Sequence, residues 1–220
     1  MELIVIILVL VVSYLLGAIP FGVIFVRLIG HKDILKVESG RTGGTNALRA
    51  AGFGAGFLTA LMDMLKGTAA VLLARWLLPG TFWLEALAGM ASILGHNYSI
   101  FLMERNENGR MVLRGGAGGA TCAGVSLGLW PASFLIIFPL SASLWYFLGY
   151  ASVATMSIAF FSIVIFTVRA LMGLSPWEYA IGSLGAELLL VWALRPNIKR
   201  LIQGNERLVG WRVRNQKKKA

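Results

Sequence analysis

Residues 37–50, VESGRTGGTNALRA, set Ser39, Thr42, Thr45 and Asn46 among Gly40, Gly43 and Gly44, with Arg41 inside the stretch and Arg49 at its end. Missing side chains let backbone N–H groups approach an anion. The forked guanidinium of arginine matches a phosphate in two-point fashion. Acidic ligands are scarce here, so the chemistry on offer is phosphate recognition rather than metal binding. An ordinary solvated loop would use the same residue types, so the stretch gains meaning only with partners elsewhere in the chain.

Two further stretches supply them. GHNYSIFL (95–102) is followed by RGGAGGAT (114–121), where Gly115, Gly116, Gly118 and Gly119 precede an apolar run. Such a loop opening a helix can cradle an anion at the positive end of the helix dipole. Close packing of membrane helices calls for small residues as well, and His96 could equally be a hydrogen-bonded interfacial anchor. The third stretch, RPNIKRLIQGNERL (195–208), carries Asn197, Arg200 and Glu206, and reads also as an amphipathic interfacial helix. Asp63 and Lys66 stand three apart on a helical face, a spacing for a structural ion pair more than for a proton relay. The single Cys122 excludes an internal disulfide, and Cys122 with His31 and His96 is poor material for a structural zinc site. No metal or cofactor is called for.

The elements that must position these residues are membrane helices. The chain of 220 residues is 57% hydrophobic and 14% charged, with a mean hydropathy of +0.75. Apolar segments run over 3–26, 53–78, 82–103, 117–130, 131–148, 151–168 and 177–194, the division at Trp130-Pro131 resting on proline. The first is too long for a signal-peptide core and begins with Glu2 where a basic region would stand. Of the 20 Lys and Arg, five lie in 27–50, three in 104–114 and nine from Arg195 onward. The positive-inside rule therefore puts all three segments in the cytoplasm, with an even number of spans between them and Arg169 as an exception outside. The expected fold is an all-α polytopic bundle of about seven transmembrane helices, N-terminus outside and C-terminus cytoplasmic. It forms a single domain over 1–195, followed by a basic tail over 196–220 whose end, RVRNQKKKA, is expected to be disordered beside anionic headgroups. A net charge of +10 spread along the edges of spans points to membrane lipids, not to nucleic acid.

The three stretches resemble the motifs of the bacterial membrane glycerol-3-phosphate acyltransferases that use acyl phosphate, the PlsY type. The first motif, G-S-G-N-x-G-A-T-N-x-x-R, is matched by Glu38 to Arg49, preceded by Gly17-Ala18-Ile19-Pro20-Phe21-Gly22 and followed by D-x-x-K-G at Asp63 to Gly67. The second, G-H-x-x-P-x-F with G-G-K-G-V-A-T, is matched by Gly95 to Phe101 and Gly115 to Thr121. The third, H-x-x-N-I-x-R-L-x-x-G-x-E, is matched by Leu194 to Glu206. The resemblance implies a bacterial inner-membrane enzyme with a cytoplasm-facing site. There the 1-hydroxyl of sn-glycerol 3-phosphate attacks a fatty acyl phosphate, giving lysophosphatidic acid and phosphate. It implies catalytic roles for Ser39, Asn46, Arg49, His96 and Asn197. Phosphate binding falls to Thr45, Gly115, Gly116 and Gly118, joined on the charge of their own side chains by Arg41 and Arg114, and structural support to Asp63, Lys66 and Glu206.

The chain also departs from the pattern. Ala117 stands where the family has lysine, Leu194 where it has histidine and Arg41 where it has asparagine. A lost charge-assisted hydrogen bond is worth roughly 1.5–3 kcal/mol, or about one to two orders of magnitude in rate. Arg41 or Arg114 is expected to restore the charge. These departures keep open a divergent paralogue with another phosphorylated acceptor or a non-catalytic lipid-binding role. A small transporter is a third reading, resting on the many spans and on Asp63 and Lys66.

Overall fold

The computed structural model describes residues 1–106 and 108–213. Eight α-helices follow in order: α1 (Glu2–Ala18), α2 (Phe21–Gly30), α3 (Gly44–Leu77), α4 (Phe82–Asn97), α5 (Gly119–Leu129), α6 (Ser133–Ser143), α7 (Ala151–Leu171) and α8 (Trp177–Ile202). A small hairpin, β1 (Met103–Arg105) with β2 (Met111–Leu113), joins α4 to α5. Three helical stretches are long and apolar enough to cross a membrane: Glu2–Gly30, Gly44–Leu77 and Ala151–Leu171. α5 and the unit Ser133–Leu148 are shorter apolar helices.

Apolar side chains cover the outside as well as the inside. Leu3, Ile7, Phe57, Leu135, Phe160 and Leu188 are more than half exposed, as helices facing lipid require. Association of such helices rests on close backbone approach and on polar contacts instead of hydrophobic burial. α1 accordingly meets α4 through Gly17, where a Cβ would overlap the Ser92 carbonyl. α5 and α7 are linked by hydroxyls, Ser126 Oγ lying 2.7 Å from Ser162 Oγ.

Several elements differ from the apolar segments read in the sequence. The stretch expected over 3–26 is two helices that meet at Ile19–Pro20, because proline supplies no N–H to continue the ladder. The Leu16 carbonyl, four residues before Pro20, accepts from the Ile19 N–H at 3.3 Å, and Lys66 Nζ donates to the Ile19 carbonyl at 3.0 Å. α3 begins at Gly44, nine residues ahead of the expected start, with a kink at Ala51–Gly52 where Gly52 adopts φ of 85°. The apolar run 82–103 is helical only to Asn97. At Trp130–Pro131 the chain does break, between α5 and α6.

α8 runs through Pro196 to Ile202, so the expected boundary at 195/196 falls inside a helix, and the segment 195–208 is not a separate interfacial one. Proline at 196 withdraws the N–H that would reach the Trp192 carbonyl four residues back. Arg195 Nε donates to that carbonyl at 2.9 Å and repairs the gap. Of the expected tail, Arg212 donates to the Leu148 carbonyl at 3.1 Å, while 214–220 lie outside the described residues.

The connections sort the bundle into two ends. At one lie the turns Leu78–Thr81, Trp130–Ala132 and Met172–Pro176, with Trp76, Trp83, Trp130 and Trp177 beside them, an arrangement typical of an interfacial aromatic belt. A buried network also stands there: Glu85, 1% exposed, accepts from Arg75 Nη2 at 2.6 Å and from Tyr179 Oη at 2.7 Å. It ties α3, α4 and α8 together. The other end gathers the polar segments 31–49, 96–121 and 193–210.

Candidate active site

The first polar segment is a loop folded over the start of α3. Asp33 accepts from the Leu35 N–H and sets up a short 3-10 turn, after which Glu38 and Gly40 take positive φ, 47° and 66°. Asn46 holds this loop from beneath. Its Nδ2 lies within hydrogen-bond distance of the carbonyls of Ile34 (3.2 Å), Val37 (3.0 Å) and Arg41 (2.9 Å), while Oδ1 stays buried without a partner. Ser39 Oγ accepts from the Arg41 N–H at 3.4 Å. Thr45 is half-buried at the first turn of α3.

The second segment docks against the first. The Thr42 N–H donates to the Gly115 carbonyl at 3.3 Å, and the Gly116 N–H donates to the His96 carbonyl at 2.9 Å. Gly118, at φ of 84°, is the cap of α5. Leading N–H groups of a helix have no partner within it, so this terminus presents donors and a positive dipole. Glycine is required by space as well as by φ, since a Cβ on Gly116 would overlap the His96 ring.

His96 and Asp63 are buried beneath the loop. His96 Nδ1 lies 3.4 Å from Asp63 Oδ1, and Lys66 Nζ lies 2.8 Å from the same oxygen. Asp63 is 1% exposed and Lys66 5%, so the pair neutralises itself inside the bundle, where an uncompensated charge would be costly. His96 is thereby wedged between Asp63 and Gly116. It underpins the glycine loop from a position that interfacial exposure would not give it.

The third segment closes the site. Glu206, 8% exposed, accepts from Asn197 Nδ2 at 2.8 Å and from Arg200 Nε at 2.9 Å. Arg207 bonds both the carboxylate and the carbonyl of Glu38, each at 3.0 Å, and Arg49 Nη2 donates to the Leu208 carbonyl at 3.2 Å. The three segments are therefore one cluster.

Arg41 and Arg114 part ways. Arg41 extends its guanidinium inward, Nη1 donating to the Gly116 carbonyl at 3.1 Å and Nη2 to the Ala193 carbonyl. It thus abuts the residues immediately before Ala117 and Leu194. Burial lowers its pKa from the ordinary arginine value, and the nearby Arg200 cation adds to that. Arg114 pairs with Glu104 on the hairpin, where both side chains are about 40% exposed. Missed in the sequence were Asn97, buried beside Gly118 in a position the motif leaves free, and Ser99, whose Oγ donates to the Ala18 carbonyl at 2.6 Å. Among the described residues no group of three or more His, Cys, Asp or Glu could hold a metal ion.

Fold and cluster together define a helical membrane protein with a cluster of arginines and glycines at one end of its bundle. The sequence profile described as glycerol-3-phosphate acyltransferase matches residues 7–204. The glycerol-3-phosphate acyltransferase of Thermus thermophilus is 41% identical over 204 residues, covering 93% of this chain and 95% of the relative. That of Rubrobacter xylanophilus is 37% identical, covering 94% and 96%. A crystal structure of PlsY (YgiH), an integral membrane glycerol 3-phosphate acyltransferase in its glycerol 3-phosphate form, superposes with a TM-score of 0.78 at 31% identity, covering 93% of this chain and 96% of that one. The chain belongs to the glycerol-3-phosphate acyltransferase family.

Proposed function

We propose that the protein transfers a fatty acyl group from acyl phosphate to the 1-hydroxyl of sn-glycerol 3-phosphate, yielding lysophosphatidic acid and inorganic phosphate for phospholipid synthesis. The observation that carries this is the assembly of three remote segments beside the N-terminus of α5, Arg41 bonding the Gly116 carbonyl there while Arg49 and Arg200 bond Leu208 and Glu206 of the third segment. Both substrates carry phosphate, and the site offers arginines and free backbone donors.

In this reading the N–H groups at the start of α5, with Gly115, Gly116 and Gly118, cradle one phosphate, and Arg41 supplies the charge beside them. Ser39, Thr45 and Arg49 meet the phosphate of the donor. Asn197 orients substrate, with Glu206 fixing its amide, and Asn46 and His96 hold the first and second loops in register. The ester bond forms as the acyl–phosphate bond breaks. Acyl phosphate is an activated donor, so positioning and charge neutralisation account for the rate without a covalent enzyme intermediate.

The topology proposed with it has seven spans: α1, α3, α4, α5, α6, α7 and α8, with α2 bending back along the cytoplasmic surface. The N-terminus is outside, and the site faces the cytoplasm of a bacterial inner membrane, in keeping with the concentration of Lys and Arg in the three polar stretches of the sequence.

The experiment is acyl transfer by purified protein in lipid, from palmitoyl phosphate to radiolabelled sn-glycerol 3-phosphate, with acyl-CoA and acyl carrier protein thioesters as other donors. Lysophosphatidic acid formed from acyl phosphate and lost in Arg49→Ala is the expected result. Transfer only from a thioester would refute the donor, and no product from any donor would refute the enzyme.

A further inference from the structure

The α5 terminus is surrounded by donors, yet one acceptor is built into it. Asn97 ends α4 and is 4% exposed. Its Nδ2 donates to the Leu189 carbonyl of α8 at 3.4 Å, which turns Oδ1 the other way. That oxygen is buried and has no hydrogen-bond partner. A Cβ placed on Gly118 would come within 2.8 Å of it, so Oδ1 faces the cap of α5 directly. One turn on, Thr121 Oγ1 is buried and without a partner too, its residue 0% exposed.

A buried acceptor left unpaired is costly, and an ionised phosphate oxygen cannot relieve it, because two lone-pair acceptors repel. A hydroxyl proton can. The pairing of helix N–H donors with an amide oxygen at the adjoining residue fits a ligand that carries an anion and a hydroxyl side by side. We infer that Asn97 reads the acceptor substrate, its Oδ1 accepting the proton of the hydroxyl on the carbon next to the phosphorylated one, while the phosphate sits on α5. In sn-glycerol 3-phosphate this is the 2-hydroxyl, not the group that is acylated. Asn97 is then a specificity-determining residue, and the inference rests on the acyltransferase reading above.

The selectivity follows from the same physics. A site built to hydrogen-bond a substrate hydroxyl discriminates against the analogue that lacks it, since the buried partner is again left unpaired. 3-Hydroxypropyl phosphate keeps the phosphate and the reacting primary hydroxyl and lacks only the neighbouring one.

The test compares sn-glycerol 3-phosphate with 3-hydroxypropyl phosphate as acceptors for wild type, Asn97→Ala and Asn97→Asp, with palmitoyl phosphate as donor. Wild type is expected to favour the glycerol ester in kcat/KM. Asn97→Ala is expected to lose about tenfold with that ester and to change less than about twofold with the other, a hydrogen bond's worth of selectivity. Asn97→Asp keeps an acceptor oxygen and is expected to keep the ratio while both rates fall, because its charge opposes phosphate. The ratio of the two substrates within one preparation is independent of how much protein is folded. Equal losses on both substrates in Asn97→Ala, or no loss on either, would overturn the role. Calorimetric binding of the same two esters without donor separates the readings. A wild-type preference in binding that Asn97→Ala abolishes supports Asn97 even if no acyl transfer occurs, whereas absence of transfer alone refutes the enzyme.

Discussion

Arg41 Nη1 donates to the carbonyl of Gly116, 75 residues along the chain, at 3.1 Å. With its second contact to the Ala193 carbonyl, the guanidinium spans all three polar segments from a loop position. It stands next to Ala117 and Leu194, two of the places where the chain departs from the motif pattern it resembles. Charge and tether therefore coincide in one residue.

Arg41→Ala is expected to lower kcat/KM about 10- to 100-fold, the worth of one charge-assisted contact. Arg114→Ala is expected to remain within about twofold of wild type, as its exposed pair with Glu104 contributes little. Adding Ala117→Lys to Arg41→Ala distinguishes the roles of charge and tether. Recovery of acyl transfer is expected if charge dominates, and failure to recover would assign Arg41 to bracing alone.

Gly116→Ala is expected to abolish activity, because the added methyl must displace the His96 imidazole. Gly43 has φ of −76° and nothing within 4 Å of a built Cβ, so Gly43→Ala folds without strain. A loss of activity in Gly43→Ala with an unchanged melting temperature would locate a ligand there. Full activity would remove Gly43 from the site.

Removing one partner of the buried Asp63–Lys66 pair leaves the other charge stranded. Lys66→Met and Asp63→Leu are each expected to destabilise by about 3–5 kcal/mol. The double variant is expected to lose less than the sum. Thermal or denaturant unfolding in detergent measures all three, and strict additivity would mean that the pair does not interact.

Glu85→Ala is expected to lower stability by several kcal/mol, since Arg75 and Tyr179 lose their shared acceptor at a buried position. Specific activity of the folded fraction should be unchanged, as this network stands at the end of the bundle away from the polar cluster. An activity loss exceeding the folded fraction would show coupling between the two ends.

Hydropathy and charge made the apolar segments legible, and proline at 131 marked the break between α5 and α6 because a membrane helix readily ends there. Proline at 20 and at 196 looked alike in the sequence yet led to opposite outcomes. At Pro20 the freed Leu16 carbonyl accepts from the Ile19 N–H, the helix ends, and Lys66, distant in sequence, adds a bond to the Ile19 carbonyl. At Pro196 the neighbouring Arg195 covers the Trp192 carbonyl and α8 continues. In both cases a chain neighbour satisfies the freed carbonyl, a backbone N–H where the helix ends and a side chain where it continues, and the proline alone does not say which.

The same limit applied to the site. Ser39 and Arg49 could be named because a hydroxyl and a guanidinium suit phosphate, and Asn197 and Glu206 because they stand at matching positions of the third motif. Asn97 could not, since its meaning lies in an oxygen left unpaired against Gly118. The Arg75–Glu85–Tyr179 network draws one residue from each of three helices, so no local pattern announces it.

The tryptophans at one rim and the polar cluster at the other give this protein a built-in ruler. Trp177 opens α8 and Asn197 stands five residues before its end, twenty residues further on, or about 30 Å at helical rise, close to one hydrocarbon thickness. Bilayer thickness therefore decides how deep the polar cluster rides. In too thick a membrane the arginines sink below the plane where a soluble phosphate ester arrives, and in too thin a one they rise above the level at which an acyl phosphate presents its head. Turnover should accordingly pass through a maximum as the acyl chains of the surrounding lipids are lengthened, making membrane thickness itself a determinant of activity.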